Sequence, residues 1–321
     1  MCKEDLVMCN KNALVIGATG LLGYGITHEL NNRGWKVRAI GKENLISSDV
    51  FPDDVEYICG DFYDETFLSQ VLKNIDKVFF FLSSTFPSTS TDSLDLEISR
   101  TLRGLDYLLR KMRDVGINEI VFPSSGGTIY GDVESGIAKE DDVLKPITPY
   151  GTGKMMCEDI LRFYSQFGIS STILRVGNVY GSPLARTTTQ GVIDVFVQKA
   201  LRGETAMIWG NALTNVRDYI FMDDFSKAVA MIGEHRIEGV EIYNLSSGIG
   251  TTLEEIISVI NKYSTYPLKV NYVRNDATES IKRIVLDMEK FKNKTKWEPQ
   301  FDIDKGIAET IIRKRKMKDI L

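Results

Sequence analysis

The segment that most restricts this chain is a short apolar run, Ala13-Leu14-Val15-Ile16, followed at once by Gly17-Ala18-Thr19-Gly20-Leu21-Leu22-Gly23 and a helical stretch ending near Arg33-Gly34. Three glycines at three-residue spacing between a strand and a helix permit a tight turn. They also let backbone N–H groups at the helix N-terminus approach a pyrophosphate, where the helix dipole favours negative charge. A tight turn without a ligand is the other reading, but strand before and helix after is the context in which this spacing binds dinucleotides. Gly17, Thr19, Gly20, Leu21, Leu22 and Gly23 are the expected cofactor-binding residues of this turn.

Apolar runs recur at Lys36–Ile40, Val55–Ile58, Val78–Leu82, Glu119–Phe122 and Ser171–Leu174, with helical patterns between them, notably Leu94–Val115 and Tyr150–Phe167. This alternation predicts an α/β fold, a doubly wound parallel sheet covered on both faces. Phe79-Phe80-Phe81 suits a central strand buried on both sides. After residue 180 the elements shorten, and Pro183 with the polar stretch Arg186–Gln190 suggests a junction. Strands near Met207–Trp209 and Glu241–Asn244, with helices near Leu253–Lys262 and Ile303–Arg313, would build a smaller C-terminal lobe. The expected division is 1–180 for dinucleotide binding and 181–321 mainly for substrate, with segments near 219–245 returning to the first domain. A chain of 321 residues, 43% of them hydrophobic, has core enough for two such lobes.

At the adenosine end, a carboxylate normally follows the second strand to receive the ribose hydroxyls. Here that place holds Gly41-Lys42. Without the carboxylate a 2′-phosphate is not repelled, and Lys42 would attract one, which leans toward NADP over NAD; alternatively Lys42 is a solvated loop lysine. Asp61 and Phe62 follow the third strand, where Asp61 would meet the adenine amino group, and Asp64 would cap the next helix. Ser83 and Ser84 follow the fourth strand, ahead of the Thr85–Thr91 loop, whose Pro87 breaks regular structure.

Tyr150 and Lys154 stand four residues apart, on one face of a helix whose N-cap and N1 would be Thr148 and Pro149. An ammonium there would stabilise a phenolate, pulling the phenol below its ordinary value of about 10. Such a base suits removal of a hydroxyl proton while hydride leaves the same carbon. Gly151 and Gly153 weaken that helix and would admit the cofactor closely. The chain has only two histidines, His28 and His235, so histidine triads and multi-histidine metal sites are excluded and no metal is expected. His28 and Cys157 read as packing residues, and Trp209 as core of the second lobe.

A net charge of −5 argues against a nucleic-acid partner. The basic run Arg313-Lys314-Arg315-Lys316 reads as the solvated last turn of a helix. Four scattered cysteines, no signal-like start and no apolar run of spanning length suggest a reduced cytoplasmic protein with no membrane partner.

Four more blocks follow in order: Ser124-Ser125-Gly126-Gly127-Thr128-Ile129-Tyr130-Gly131, Tyr150…Lys154, Arg175-Val176-Gly177-Asn178-Val179-Tyr180-Gly181, and Trp209-Gly210 with Val216-Arg217-Asp218-Tyr219-Ile220-Phe221-Met222-Asp223-Asp224. From about Ala13 to about Ile307 the chain resembles the extended short-chain dehydrogenase/reductases, and among them the nucleotide-sugar epimerase/dehydratase group typified by UDP-glucose 4-epimerases. The resemblance implies a Rossmann domain, Tyr150 as acid–base group, Lys154 holding the nicotinamide ribose, and Ser83 lining the nicotinamide pocket unless it merely begins the Thr85–Thr91 loop. It implies Asn178 and Arg217 at the substrate diphosphate, Arg274 as a second phosphate-binding arginine or a surface one, and a homodimer through the two long helices. Two departures stand out. The usual catalytic Ser or Thr position is Gly126, so Ser125 or Thr128 must supply the hydroxyl. The Thr-Asp-Glu of the dehydratases is absent, which argues against 4,6-dehydration. The function so implied is C4 epimerisation of a nucleotide-linked hexose with NAD or NADP. The alternatives are an NADPH-dependent reductase of a nucleotide 4-keto-6-deoxysugar, favoured by Gly41-Lys42, and a non-catalytic dinucleotide-binding protein.

Overall fold

A computed structural model describes residues 11–43, 50–82, 94–95, 97–182, 191–209, 212–273 and 281–318. Ser83, Arg274, Pro183 and the Arg186–Gln190 stretch lie outside the described residues. The strands are β1 (Asn12–Ile16), β2 (Lys36–Gly41), β3 (Glu56–Cys59), β4 (Lys77–Phe80), β5 (Glu119–Ser125), β6 (Ile137–Ala138), β7 (Ser170–Val176), β8 (Asn178–Tyr180), β9 (Thr205–Trp209), β10 (Val216–Phe221), β11 (Val240–Leu245), β12 (Gly250–Thr252), β13 (Lys269–Val273) and β14 (Arg283–Leu286). The helices are α1 (Leu21–Asn32), α2 (Glu65–Val71), α3 (Arg103–Val115), α4 (Pro149–Ser165), α5 (Val192–Arg202), α6 (Met222–Glu234), α7 (Leu253–Tyr263), α8 (Glu289–Thr295) and α9 (Ile303–Lys318). A π-helical segment, Glu97–Leu102, runs directly into α3.

Seven parallel strands form the main sheet in the order β11-β7-β5-β4-β1-β2-β3. The chain leaves β1 for β2 on one side and later for β4 on the other, which opens a crevice beyond their carboxyl ends. Both faces are covered. Ile26 and Leu30 of α1 and Phe225 and Val229 of α6 pack on one, with Phe79. Leu68 of α2, Leu105 and Leu109 of α3 and Leu161 of α4 pack on the other, with Phe80. Adjacent phenylalanines thus point to opposite faces of a sheet that is dry on both, as the apolar run predicted.

The Glu241–Asn244 run forms β11, an edge of this main sheet rather than part of a separate lobe. A second sheet, β12-β10-β14-β6 with β8 paired to β10, and a two-stranded β13-β9 ribbon complete the pairing among the described residues. A further core joins Ile193 and Val197 of α5, Ile256 and Ile260 of α7, Ile307 and Ile311 of α9, and Ala206 and Ile208 of β9. Because only alternate residues of β9 face that core, Trp209 is 58% exposed and is not the core residue expected.

The basic run is also not wholly solvated. Arg313 makes a bidentate pair with Asp223 at 2.8 and 2.7 Å, and Lys314 is buried with Nζ 3.1 Å from Asp194 Oδ1. Helix α9 continues past the run, so part of it faces inward. The caps agree with the sequence: Asp64 accepts from the Phe67 N–H at 2.9 Å, and Thr148 Oγ1 from the Gly151 N–H at 3.1 Å, with Pro149 at N1.

Candidate active site

The carboxyl ends of β1, β4, β5 and β7 open into a cavity of about 650 Å³. Gly20, Leu21 and Leu22 line one part of it, Ser125, Thr128, Tyr150 and Lys154 another, and Asn178 and Arg217 a third. Residues as far apart in the chain as Gly20 and Ile281 therefore converge on one space.

The glycine turn is sterically specified. Gly17 has φ +84°, and a Cβ there would lie 2.8 Å from the Phe81 carbonyl oxygen. A Cβ at Gly23 would overlap the Gly17 carbonyl, so α1 can start this close to β1 only without one. Gly20 caps α1 with no side-chain hydrogen bond, and the first turn carries no acidic residue. The helix N-terminus is thus left with its amide donors and positive dipole end at the cavity, a cradle that fits a dinucleotide pyrophosphate.

The adenosine end departs from expectation for a packing reason. A Cβ at Gly41 would come within 2.9 Å of both Thr19 Cγ2 and the Tyr57 hydroxyl, which donates to the Glu43 carbonyl at 2.6 Å. The tyrosine fills the space an acidic side chain would need. Lys42 Nζ lies 3.5 Å from Asp61 Oδ1, both groups being well exposed. Asp61 also accepts from the Tyr63 N–H at 3.1 Å. The Phe62 side chain is buried against Phe80 and Tyr107 on the α3 side, so a cofactor would meet this residue through its backbone.

Tyr150 and Lys154 share a face of α4 as the spacing required. Lys154 is 4% exposed; its Nζ donates to the Pro123 carbonyl at 2.9 Å and sits 5.7 Å from the centre of the Tyr150 ring. The electrostatics differ from the simple expectation. Burial raises the Tyr150 phenol well above its ordinary range, and the charges of Glu97 and Cys157 push the same way. Burial lowers the Lys154 ammonium, against smaller opposing contributions from Cys157, Glu97 and Glu158. Desolvation is the largest cause at both groups, and it disfavours the charged form of each. The glycines between them have a different use from the one expected. A Cβ at Gly151 would lie 2.6 Å from the Thr128 carbonyl, and one at Gly153 would lie 3.0 Å from Glu97 Cβ and Oε2. They admit protein, not cofactor.

Ser125 and Thr128 occupy the place of the missing hydroxyl together. Thr128 Oγ1 donates to Ser125 Oγ at 2.8 Å, and both residues line the cavity. Gly126 cannot carry a side chain, since a Cβ would lie 2.5 Å from Leu286 Cδ1. Behind them a buried network holds the loop: Arg175 grips Glu158 through Nε at 3.1 Å and Nη2 at 2.8 Å and donates to the Tyr130 hydroxyl at 3.0 Å, which donates to Asn244 Oδ1 at 2.6 Å.

At the far end Asn178 Nδ2 donates to the Asp218 carbonyl at 2.9 Å, tying β8 to β10. Arg217 is partly buried, donates to the Val216 carbonyl at 2.9 Å, and is paired with no carboxylate among the described residues. Burial lowers its guanidinium from the ordinary value. A cation desolvated this way is suited to a phosphate. Asp218 was not singled out from the sequence, although it adjoins Arg217. Its carboxylate accepts from the Ser246 and Ser247 hydroxyls at 2.6 and 2.7 Å and from the Ser247, Gly248 and Leu286 amides, fixing the strand that presents Arg217.

A doubly wound sheet, a glycine turn at its switch point and a Tyr–Lys pair beside it define an extended short-chain dehydrogenase/reductase. Residues 13–246 match the NAD dependent epimerase/dehydratase family, and the chain belongs to that family. It is 26% identical to a putative UDP-glucose 4-epimerase of Methanocaldococcus jannaschii, over 93% of this chain and 96% of the relative. It is 28% identical to a dTDP-4-dehydro-6-deoxyglucose reductase of Escherichia coli, again over 93% and 96%. The Thermotoga maritima UDP-glucose 4-epimerase solved with UDP-glucose superposes with a TM-score of 0.83 at 26% identity, over 96% of this chain and 99% of that one. Family and relatives make this chain an enzyme of nucleotide-sugar metabolism.

Proposed function

We propose that the protein is a C4 epimerase of a nucleotide-linked hexose that works with NAD as a resident cofactor. The observation that carries this reading is the shared cavity, which brings a phosphate cradle, an acid–base tyrosine and an arginine with no carboxylate partner among the described residues to one space. Tyr150 takes the proton of the sugar hydroxyl and later returns it. Lys154 holds the nicotinamide ribose and steadies the phenolate. Ser125 and Thr128 hold the hydroxyl in line with Tyr150, and Arg217 and Asn178 grip the diphosphate while the sugar turns over. The glycine turn would hold the pyrophosphate of the dinucleotide and Lys154 its nicotinamide ribose, and the chemistry supplied there would be reversible hydride acceptance, so no net reductant is used.

The similarity to UDP-glucose 4-epimerases supports uridine as the nucleotide. The residues up to 180 and the segments through β11 serve the cofactor, and 181–321 mainly serve the substrate. A homodimer would use α3 and α4, whose ends expose Val115, Phe163 and Phe167. Phe163→Glu is then expected to yield a monomer in sedimentation equilibrium. A second reading, reduction of a nucleotide 4-keto-6-deoxysugar with NADPH, is favoured by Gly41-Lys42 and by the likeness to the reductase. UDP-glucose, UDP-N-acetylglucosamine and dTDP-4-keto-6-deoxyglucose, each incubated with NAD⁺ or NADPH and followed by proton NMR, separate the two. Interconversion of C4 epimers without net NADH is the expected result; stoichiometric NADPH oxidation by the ketosugar would replace it with the reductase.

A further inference from the structure

Tyr150, Gly153, Lys154 and Cys157 recur at helical spacing and form one face of α4. The π-helical segment Glu97–Leu102 packs against this helix. Single π-helical turns tend to occur at functional sites, where they re-aim a side chain. Here the side chain is Glu97, only 2% exposed. It fits where Gly153 has no side chain, close enough that a Cβ there would lie 3.0 Å from both its Cβ and its Oε2. Thr101 Oγ1, one turn on, donates to Glu97 Oε2 at 3.3 Å and holds the carboxylate in that seat. A buried carboxylate thus lies against the turn of α4 that carries the acid–base tyrosine and its lysine, a place no motif of the sequence assigned.

We infer that Glu97 is a positioning residue for the Tyr150–Lys154 pair: seated on Gly153, its carboxylate holds Lys154 as the ammonium and keeps Tyr150 in its protonated form. The inference rests on Tyr150 being the acid–base group. After burial, Glu97 is the next cause of the upward shift at Tyr150, and it supports the charged form of Lys154. Among the described residues, the titratable groups that feel its charge are Tyr150, Lys154 and Cys157 of α4, while Asp106 on the first turn of α3 is engaged by Tyr164 and Arg110. A carboxylate beside the phenol opposes loss of its proton, and a positive charge arriving nearby offsets that opposition. An oxidised nicotinamide carries one, so Glu97 would couple activation of the base to occupancy of the cofactor site.

The sign follows directly. Removing the carboxylate lowers the phenol pKa, so the phenolate forms at lower pH. Tyrosine labelled with ¹³C at Cζ, with the Tyr150 resonance identified by its loss in Tyr150→Phe, reads this without any substrate. Glu97→Gln keeps the shape and the Thr101 hydrogen bond, and is expected to move the Tyr150 titration down by roughly one to two pH units, with and without NAD⁺. Gly153→Ala, which crowds the carboxylate out of its seat, should move it in the same direction, and Glu97→Asp should restore most of the parent behaviour. An unchanged Tyr150 titration in Glu97→Gln overturns the inference. If that variant does not fold, an unchanged titration in Gly153→Ala does so. In a parallel assay with UDP-glucose, the alkaline rise of kcat/KM should move to lower pH in Glu97→Gln. A parent enzyme inert toward UDP-glucose would count against the proposed substrate alone, because the NMR titration still decides the role of Glu97.

Discussion

At the residue scale the chemistry is concentrated on one hydroxyl. Tyr150→Phe removes the proton carrier but little of the packing, so turnover should fall by about 10²–10⁴-fold while affinity for the sugar nucleotide, read by calorimetry, stays near the parent value. The raised phenol adds a pH signature. Only the phenolate can accept the hydroxyl proton, and burial holds the phenol protonated at neutral pH. Then kcat/KM should climb as pH rises through the neutral and mildly alkaline range; a flat profile would argue against Tyr150 as the base. Gly41 supplies the opposite kind of prediction. A missing acid at that position invites repair, yet Thr19 and the Tyr57 hydroxyl already occupy the space. Gly41→Asp should therefore lose roughly 1–3 kcal/mol of stability through overpacking and bind NAD⁺ no better. Tighter binding with an unchanged melting temperature would show that Tyr57 yields.

Among the elements, helix ends carry most of the local information. The N-cap Thr252 of α7 accepts from the Glu255 N–H at 3.2 Å, while Glu255 Oε2 accepts from the Thr252 N–H at 2.7 Å, a reciprocal capping box. These hydrogen bonds lower the Glu255 carboxyl from its ordinary value of 4.5. A carboxylate lowered on folding contributes stability above its unfolded pKa and loses it as pH falls through the lowered one. Thr252→Ala should thus cost about 1 kcal/mol near neutral pH, and the gap from the parent should narrow in acid, measured by urea unfolding at each pH. Helix α1 is built the other way. It has no side-chain cap, because an occupied cap would satisfy the amides the cavity needs. The two helix starts show one sequence signal, the capping residue, used for stability in one case and withheld for binding in the other.

Across the whole molecule, α9 latches the C-terminal segment onto the site-bearing strands. Lys314 reaches Asp194 of α5, whose other oxygen accepts from the Gly181 N–H at 2.9 Å, just beyond β8 and Asn178. Lys314→Met leaves that buried carboxylate without its cation and is expected to cost about 3–5 kcal/mol. The substrate end, anchored through Gly181, should weaken with it, so the loss would also show as a raised KM for the sugar nucleotide. A variant of parent stability would mean that Asp194 is satisfied by the amide alone.

Strand, glycine turn and helix could be read from the sequence because each is dictated by neighbours a few residues away: apolar runs, a φ only glycine adopts freely, a threonine and a proline at a helix start. The Tyr150–Lys154 face was legible for the same reason, since helical spacing is local. What stayed hidden depends on contacts between distant segments. Trp209 looked like core until β9 had a partner and a face. The basic run looked solvated until Arg313 met Asp223, 90 residues away. The missing acid at Gly41 was visible in the sequence, but that Tyr57 of the adjoining strand β3 packs into the space emerged only once the strands paired. Periodicity and composition determined which elements form and that a dinucleotide site follows β1. The tertiary structure alone decided which side chains share that site, because desolvation and close contact arise only when the segments pack together.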